Sequence, residues 1–154
     1  MKHNNSEMTV RAIENGTVID HIPSKNLFKV LSVIGIERMD TTIFIGNNLD
    51  SKKLGKKGII KITDKFPSLD DINKIALLAP NAVFNIIRNY EVVEKKPVSL
   101  PEKVQGFVKC MNPKCITNFE QVPTHFHVSV SDGEIQLKCK YCEKITGERN
   151  IEVI

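Results

Sequence analysis

The sequence predicts an α+β chain in two unequal parts, and three observations carry that prediction. The first hundred residues alternate β-rich runs with helix-periodic ones. The stretch Lys95-Lys96-Pro97-Val98-Ser99-Leu100-Pro101 interrupts the alternation, and all four cysteines lie beyond it. An N-terminal α/β sandwich followed by a small all-β module satisfies all three. The expected divisions are residues 1–97, a linker at 98–101, and 102–154.

Taken in order, Thr9 to Ile13 and Thr17 to Ile22 read as strands flanking Asn15-Gly16, a dipeptide suited to the positive φ angles of a hairpin turn. Ser24 is placed to cap a helix whose apolar positions Leu27, Val30, Leu31 and Ile34 share one face, with Gly35 ending it. Thr41 to Ile45 reads as a strand, Asn47 to Gly58 as a polar loop rich in Lys and Gly, and Gly58 to Ile62 as the next strand. Ser68 starts a second helix, and Asp70 and Asp71 favour its positive end. Its buried stripe is Ile72, Ile75, Ala76 and Ala79, and Pro80 stops it. Ala82 to Ile87 and Tyr90 to Val93 close the region as strands. With the first strand set aside and the last two merged, the order is β-α-β-β-α-β. That is a ferredoxin-like antiparallel sheet with both helices on one face.

Composition narrows the function classes. A hydrophobic content of 41% suits a globular chain, and no apolar run approaches the roughly 18 residues of a membrane span. Met1 to Thr9 is polar and lacks the apolar core of a signal peptide, so a cytoplasmic location is expected. There thiols stay reduced, which favours metal over disulfides as the reading of clustered cysteines. The net charge of +4 is unevenly distributed. Residues 1–101 hold 15 Lys+Arg against 11 Asp+Glu, whereas residues 102–154 hold 7 of each. The basic excess thus lies away from the cysteines, which counts against a nucleic-acid-gripping zinc ribbon, the rival reading.

The cysteines are spaced Cys110-x4-Cys115, then 23 residues, then Cys139-x2-Cys142. Two short-spaced pairs let two knuckles converge on one tetrahedral Zn²⁺, and four thiolates leave no position open for water or substrate. The ion is therefore expected to be structural. A module of about 50 residues needs such a staple, because it buries too little apolar surface to fold alone. Between the pairs, Phe126, Val128 and Val130 alternate, Asp132-Gly133 supplies a turn, and Ile135 and Leu137 alternate again. That is a hairpin joining the knuckles, with His125 and His127 on alternate positions of its first strand.

Catalytic signatures are missing. There is no Gly-x-Ser-x-Gly, Walker loop or His-Glu-x-x-His, and no cysteine is spare as a nucleophile. Asp20-His21 is a poor acid–base pair, since neighbours on a regular strand point to opposite faces. Lys52, Lys53, Lys56, Lys57 and Lys65 read mainly as a solvated loop, but Lys61 stands inside the apolar strand Gly58-Ile59-Ile60-Lys61-Ile62, where a charge calls for a reason. Convergence of Lys61 with His21, Lys95 and Lys96 would make a polyphosphate site.

Four segments, Gly16-Thr17-Val18-Ile19-Asp20-His21-Ile22-Pro23, Asn89-Tyr90-Glu91-Val92-Val93, Ser99-Leu100-Pro101-Glu102 and Leu137-Lys138-Cys139-Lys140-Tyr141-Cys142-Glu143, together with the cysteine pairs, closely resemble the regulatory chain of aspartate carbamoyltransferase. The resemblance runs in order over almost the whole chain. It implies a non-catalytic subunit of pyrimidine biosynthesis that forms regulatory dimers and docks onto a catalytic chain through its zinc domain. Its effectors would be nucleotides, ATP activating and CTP with UTP inhibiting, in an assembly of two catalytic trimers and three regulatory dimers. Carried over, Ala12, Ile13, Lys61, Tyr90 and Val92 would surround the base, and Asp20 and Lys61 would lie near the ribose. His21 and Lys95 would face the triphosphate, and Asn85 and Ile87 would line the pocket. Asn112, Lys114 and Glu143 would meet the catalytic chain. Lys114 departs from the family pattern, which places an asparagine there, and the resemblance gives His125 and His127 no role.

Overall fold

A computed structural model describes residues 12–154. The elements are β1 (Gly16–Pro23), α1 (Leu27–Ile34), β2 (Ile43–Ser51), β3 (Gly55–Thr63), α2 (Leu69–Leu78), β4 (Val83–Arg88) and β5 (Glu91–Pro97), followed by β6 (Lys103–Gln105), β7 (His125–Ser131), β8 (Glu134–Cys139) and β9 (Ile145–Gly147). Strands β1 to β5 form one antiparallel sheet in the order β2-β3-β1-β4-β5, and β6 to β9 a second in sequence order. The N-terminal part is thus an α/β sandwich and the C-terminal part is all-β, as expected.

Both helices cover one face of the larger sheet. Ile19 of β1, Ile60 of β3 and Phe84 of β4 point to that side and are at most 1% exposed. Leu27, Val30 and Leu31 of α1 and Ile72, Ile75 and Leu78 of α2 pack against them. Each fully buried aliphatic or aromatic side chain here is worth about 1.5–3 kcal/mol relative to exposure. Helix α2 begins with a reciprocal capping box. The Ser68 hydroxyl accepts from Asp71 N at 3.1 Å, and Ser68 N donates to the Asp71 carboxylate. Helix α1 ends on Gly35 in the left-handed region (φ 76°), whose N–H reaches the Leu31 and Ser32 carbonyls.

Several local expectations are corrected. Ser24 does not cap α1. It opens a 3-10 turn, Ser24–Asn26, and the helix starts three residues later with no side-chain cap. Asn47 to Gly58 is not a loop, because β2 and β3 form one long hairpin turning at Lys52–Leu54. β2 is an edge strand and the tip of the hairpin runs past the end of β1, so the polar residues there face water and produce no buried-strand pattern. The predicted Tyr90 to Val93 strand starts one residue later and continues to Pro97, through lysines read as part of the break. Most of the strand expected at Thr9 to Ile13 lies outside the described residues, and Ala12 and Ile13 are irregular.

In the second sheet, β7 and β8 pair around Asp132-Gly133, both at positive φ (52° and 77°), the two-residue turn anticipated from sequence. Phe126, Ile135 and Leu137 are buried, whereas Val130 near the hairpin tip is exposed. The chain's end returns to this core through a Val108–Val153 bridge. The two parts touch where Lys29 of α1 donates to the Ile151 carbonyl (3.2 Å) and the Lys74 ammonium of α2 lies 5.4 Å from the Phe107 ring centre.

Candidate metal centre and nucleotide face

The first knuckle is a tight loop from Cys110 to Cys115, closed by Cys115 N donating to the Asn112 carbonyl at 3.0 Å. Asn118 locks it, its amide donating to the Cys110 and Asn112 carbonyls at 3.2 and 2.8 Å. The second knuckle is the turn after β8, held by Glu143 N to the Cys139 carbonyl (3.0 Å) and Cys139 N to the Lys144 carbonyl (2.9 Å). Glu143 takes a left-handed conformation there (φ 63°).

Four sulfurs each about 2.3 Å from a tetrahedral Zn²⁺ stand about 3.8 Å apart. Here Cys110 Sγ and Cys142 Sγ are 3.7 Å apart, as are Cys115 Sγ and Cys139 Sγ. All four ligand atoms lie within 4.8 Å of one another. The four cysteines thus fit a structural zinc ion and leave no ligand position vacant. Neither histidine of β7 belongs to the cluster.

Burial pushes the Cys110 thiol up to about 12 and raises that of Cys139 as well. At Cys142 burial also acts upward, but hydrogen bonds from the Asn112 side chain, the Lys144 backbone and the neighbouring sulfurs outweigh it and bring the thiol to about 7. Thr117 Oγ1 donates to Cys115 Sγ at 3.2 Å. A dication would offset the cost of gathering four anionic sulfurs at this spacing.

The second candidate site lies on the helix-free face of the larger sheet. Strand register places Lys61 of β3 opposite Val18 of β1, Val18 opposite Asn85 of β4, and Asn85 opposite Lys95 of β5. Residues from four strands therefore form one transverse row. Toward one end of that face lie Ile87, paired with Gly16 and Val92, and the buried Ile13. Ala12 and Tyr90 are exposed beside them. Tyr90 occupies the β4–β5 turn at φ 67°, a strained angle for an aromatic residue, and its N–H donates to the Glu14 carbonyl at 2.9 Å. That bond ties the turn to the chain entering β1. Gly16 is required at this entry, since its φ is 144° and a Cβ would run into the Ile62 carbonyl.

Toward the other end, β1 carries a bulge between Ile19 and Ile22. His21 sits in it at φ 61°, its N–H donating to Asp20 Oδ1 at 2.7 Å and its Nε2 lying 4.0 Å from Asp20 Oδ2. The expectation that Asp20 and His21 point apart holds only for a regular strand, and the bulge overturns it. His21 Nδ1 is buried with no hydrogen-bond partner. Asp20 Oδ1 also pairs with Lys57 Nζ at 2.9 Å, both side chains mostly buried. Sequence reasoning missed Lys57 because it fell in a supposed loop, and only the β2–β3 hairpin carries it to the bulge. Burial lowers the Lys61 pKa from 10.5, and Asp20 partly restores it.

The face therefore grades from apolar (Ile13, Ile87, Val92) through amide and lysine (Asn85, Lys61, Lys95) to ionic (Asp20, His21, Lys57). Gly16 to Asp20 spans about 13 Å of strand, comparable to a nucleotide with its phosphates extended. Of the residues expected at a partner interface, Lys114 and Glu143 are exposed. Asn112 is half-buried, and its Oδ1 accepts from Lys114 N at 3.0 Å inside the knuckle.

Comparison with known proteins gives one answer. Residues 8–99 match the allosteric domain of the aspartate carbamoyltransferase regulatory chain, and residues 102–152 its metal binding domain. An aspartate carbamoyltransferase regulatory chain of Bacteroides fragilis is 55% identical over 154 residues, covering 100% of both chains. One from Porphyromonas gingivalis is 51% identical over 144 residues, with 93% of this chain and 95% of that one covered. One from Pyrococcus horikoshii is 47% identical over 147 residues, covering 94% and 96%. With both domains matched and identities near one half along the full length, the chain belongs to the family of aspartate carbamoyltransferase regulatory chains.

Proposed function

We propose that this chain senses nucleoside triphosphates on the helix-free face of its N-terminal sheet and transmits their binding to a catalytic aspartate carbamoyltransferase chain docked on its zinc domain. The division of labour follows the expected boundaries: residues 1–97 bind nucleotide and pair with a second copy, 98–101 link, and 102–154 dock. One observation carries the reading. A single sheet face runs from an apolar end to a polar, charged one, as a nucleotide runs from its base to its ribose and phosphates.

Ile13, Ile87 and Val92 hold the base by apolar contact, while backbone groups near Ala12 and Tyr90 read its edge. Asp20 accepts from ribose hydroxyls, with Lys61 alongside and Asn85 lining the pocket. His21, Lys57 and Lys95 draw the phosphates. ATP favours the active quaternary state and CTP with UTP the inactive one. A ligand shifts such an equilibrium only by its difference in affinity for the two states, about 1–3 kcal/mol for typical couplings. Zinc, when bound, contributes folding free energy and not chemistry. It shapes the loop that presents Asn112, Lys114 and Glu143 to the catalytic chain.

The chain performs no catalysis of its own and works in the cytoplasm. Among the described residues no helix is long and apolar enough to cross a membrane. Nucleic acid is not the ligand, because residues 102–154 carry 7 basic and 7 acidic residues before the thiolates are counted.

The test is to co-purify the chain with its catalytic partner and record aspartate saturation curves with ATP, with CTP and with neither. Opposite displacement of the midpoint by the two nucleotides is expected. Three superimposable curves, from a complex that does assemble, would reduce the chain to an assembly factor.

A further inference from the structure

The turn between β4 and β5 is built from a residue pair unfavourable to its shape. Arg88 pairs with Glu91, and the two residues between them, Asn89 and Tyr90, both take positive φ (50° and 67°). That is the pattern of a two-residue hairpin turn whose second position is ordinarily glycine. Asparagine accepts the left-handed region, but an aromatic residue is strained there. Such strain persists only where the surroundings over-determine the conformation, and it gathers at ligand clamps.

The chain entering β1 supplies that determination. The Asn15 side-chain oxygen accepts from Asn89 N at 3.3 Å, and the Glu14 carbonyl accepts from Tyr90 N at 2.9 Å. Both N–H groups of the turn are thereby held by one neighbouring segment. Asn15 is itself fixed, because its carbonyl accepts from Asp64 N at 2.9 Å. The next residue, Gly16, is paired with Thr63 on one side and Ile87 on the other. A third tie comes from Arg88, whose guanidinium lies 4.1 Å from the centre of the Phe66 ring, two residues beyond Asp64. The dipeptide Asn15-Gly16 reads from sequence as a hairpin turn of its own. Asn15 is not at positive φ, however, and its side chain serves the β4–β5 turn instead.

We infer that Asn15 is a positioning residue for nucleotide recognition, its side-chain oxygen holding the Asn89-Tyr90 turn in the strained form that sets Tyr90 against the base. The inference rests on the nucleotide reading proposed above and adds a residue that acts through the turn and not on the ligand. Only an acceptor is required at this position, since the group it meets is a backbone N–H. A turn released from Asn15 leaves the strained form for part of the time, and the dissociation constant rises as the competent fraction falls. The effect belongs to the base end of the face. Gly16 to Asp20 spans about 13 Å of strand, so the ionic group of Asp20, His21 and Lys57 lies beyond the reach of the turn.

The experiment titrates the full-length zinc-loaded chain and its Asn15→Ala and Asn15→Asp variants with ATP, with CTP and with inorganic triphosphate, which has no base. Salt is held at about 150 mM, where the charge added by N15D is screened over that distance. Zinc content and thermal unfolding of each variant control for the fold. N15A should bind both nucleotides about two- to tenfold more weakly, the effect of one lost hydrogen bond. It should bind triphosphate as the wild type does. N15D keeps the acceptor and should recover most of the nucleotide affinity. If N15A does not fold, Asn15→Ser, whose hydroxyl is one bond shorter, gives the same readout. Wild-type affinity for both nucleotides in N15A would overturn the inference while leaving the nucleotide reading intact. So would an equal loss of triphosphate affinity, or no recovery in N15D, since either marks a general loosening of the sheet. Failure of the wild-type chain to bind ATP or CTP at all would sink the nucleotide reading, and this inference with it.

Discussion

Replacing Lys61 by Met separates the binding role of this residue from its structural one, because the two move in opposite directions. Met preserves the unbranched stem that packs within β3 between Phe44 and Val18. It removes the ammonium. In the folded chain that ammonium is partly desolvated, which lowers its pKa from 10.5. A lysine with a depressed folded pKa favours folding only where it is neutral. Its contribution is present above 10.5 and lost as pH falls through the lowered folded value, so at neutral pH the charged group is a liability. K61M should therefore leave thermal stability unchanged or slightly raised. Nucleotide binding should move the other way. Losing one charge-assisted hydrogen bond costs about 1.5–3 kcal/mol, or roughly 10- to 150-fold in the dissociation constant. Calorimetric titration of ATP and of CTP into wild-type and K61M chains, beside thermal unfolding of both, measures the two effects. Unchanged affinity for both nucleotides would refute the placement of Lys61 at base and ribose. Weak binding accompanied by a large loss of stability would show that Lys61 acts through the sheet and not on the ligand.

Three further outcomes are expected. Cys139→Ala should abolish stoichiometric zinc and unfold the C-terminal module while the N-terminal sheet persists, as followed by metal analysis and two-stage proteolysis. Zinc uptake should release protons and weaken as pH falls, because burial holds the Cys110 thiol near 12 and raises that of Cys139, and each must ionise to coordinate. Titration in two buffers of different ionisation enthalpy counts those protons, and an uptake free of proton release would contradict the thiolate assignment. Phe126→Ala should cost about 3–5 kcal/mol in urea unfolding of the zinc-loaded chain, since Phe126 is 0% exposed and pairs with Cys139 across β7 and β8.

The metal centre was legible because it is local. Cys110 with Cys115 and Cys139 with Cys142 are each close enough in sequence for a single turn to aim two sulfurs, and the hairpin between the pairs announces itself by alternation and by Asp132-Gly133. The helices were legible through their periodic apolar faces, the Ser68–Asp71 capping box and Gly35. Ser24 misled, since a good cap residue starts a helix only where the backbone allows, and here a 3-10 turn comes first. The half of the β2–β3 hairpin nearer its turn stayed hidden because β2 is an edge strand and the tip runs past the end of β1, with polar residues facing solvent. β5 was cut short for a related reason: all seven of its residues are exposed.

By itself the sequence determined the two-part plan, the four-cysteine cluster and both helices, all of which follow from spacings within a dozen or so residues or from composition. Tertiary structure alone decided which side chains share the candidate nucleotide face. Lys61, Val18, Asn85 and Lys95 meet through the pairing of four strands, and Asp20, His21 and Lys57 meet through a bulge and a hairpin that no short-range pattern records. Register is set by the burial of the opposite sheet face, where a slip of one residue would expose Ile19, Ile60 and Phe84. The core thereby places polar groups whose own sequence neighbourhoods carry no sign of where they will stand.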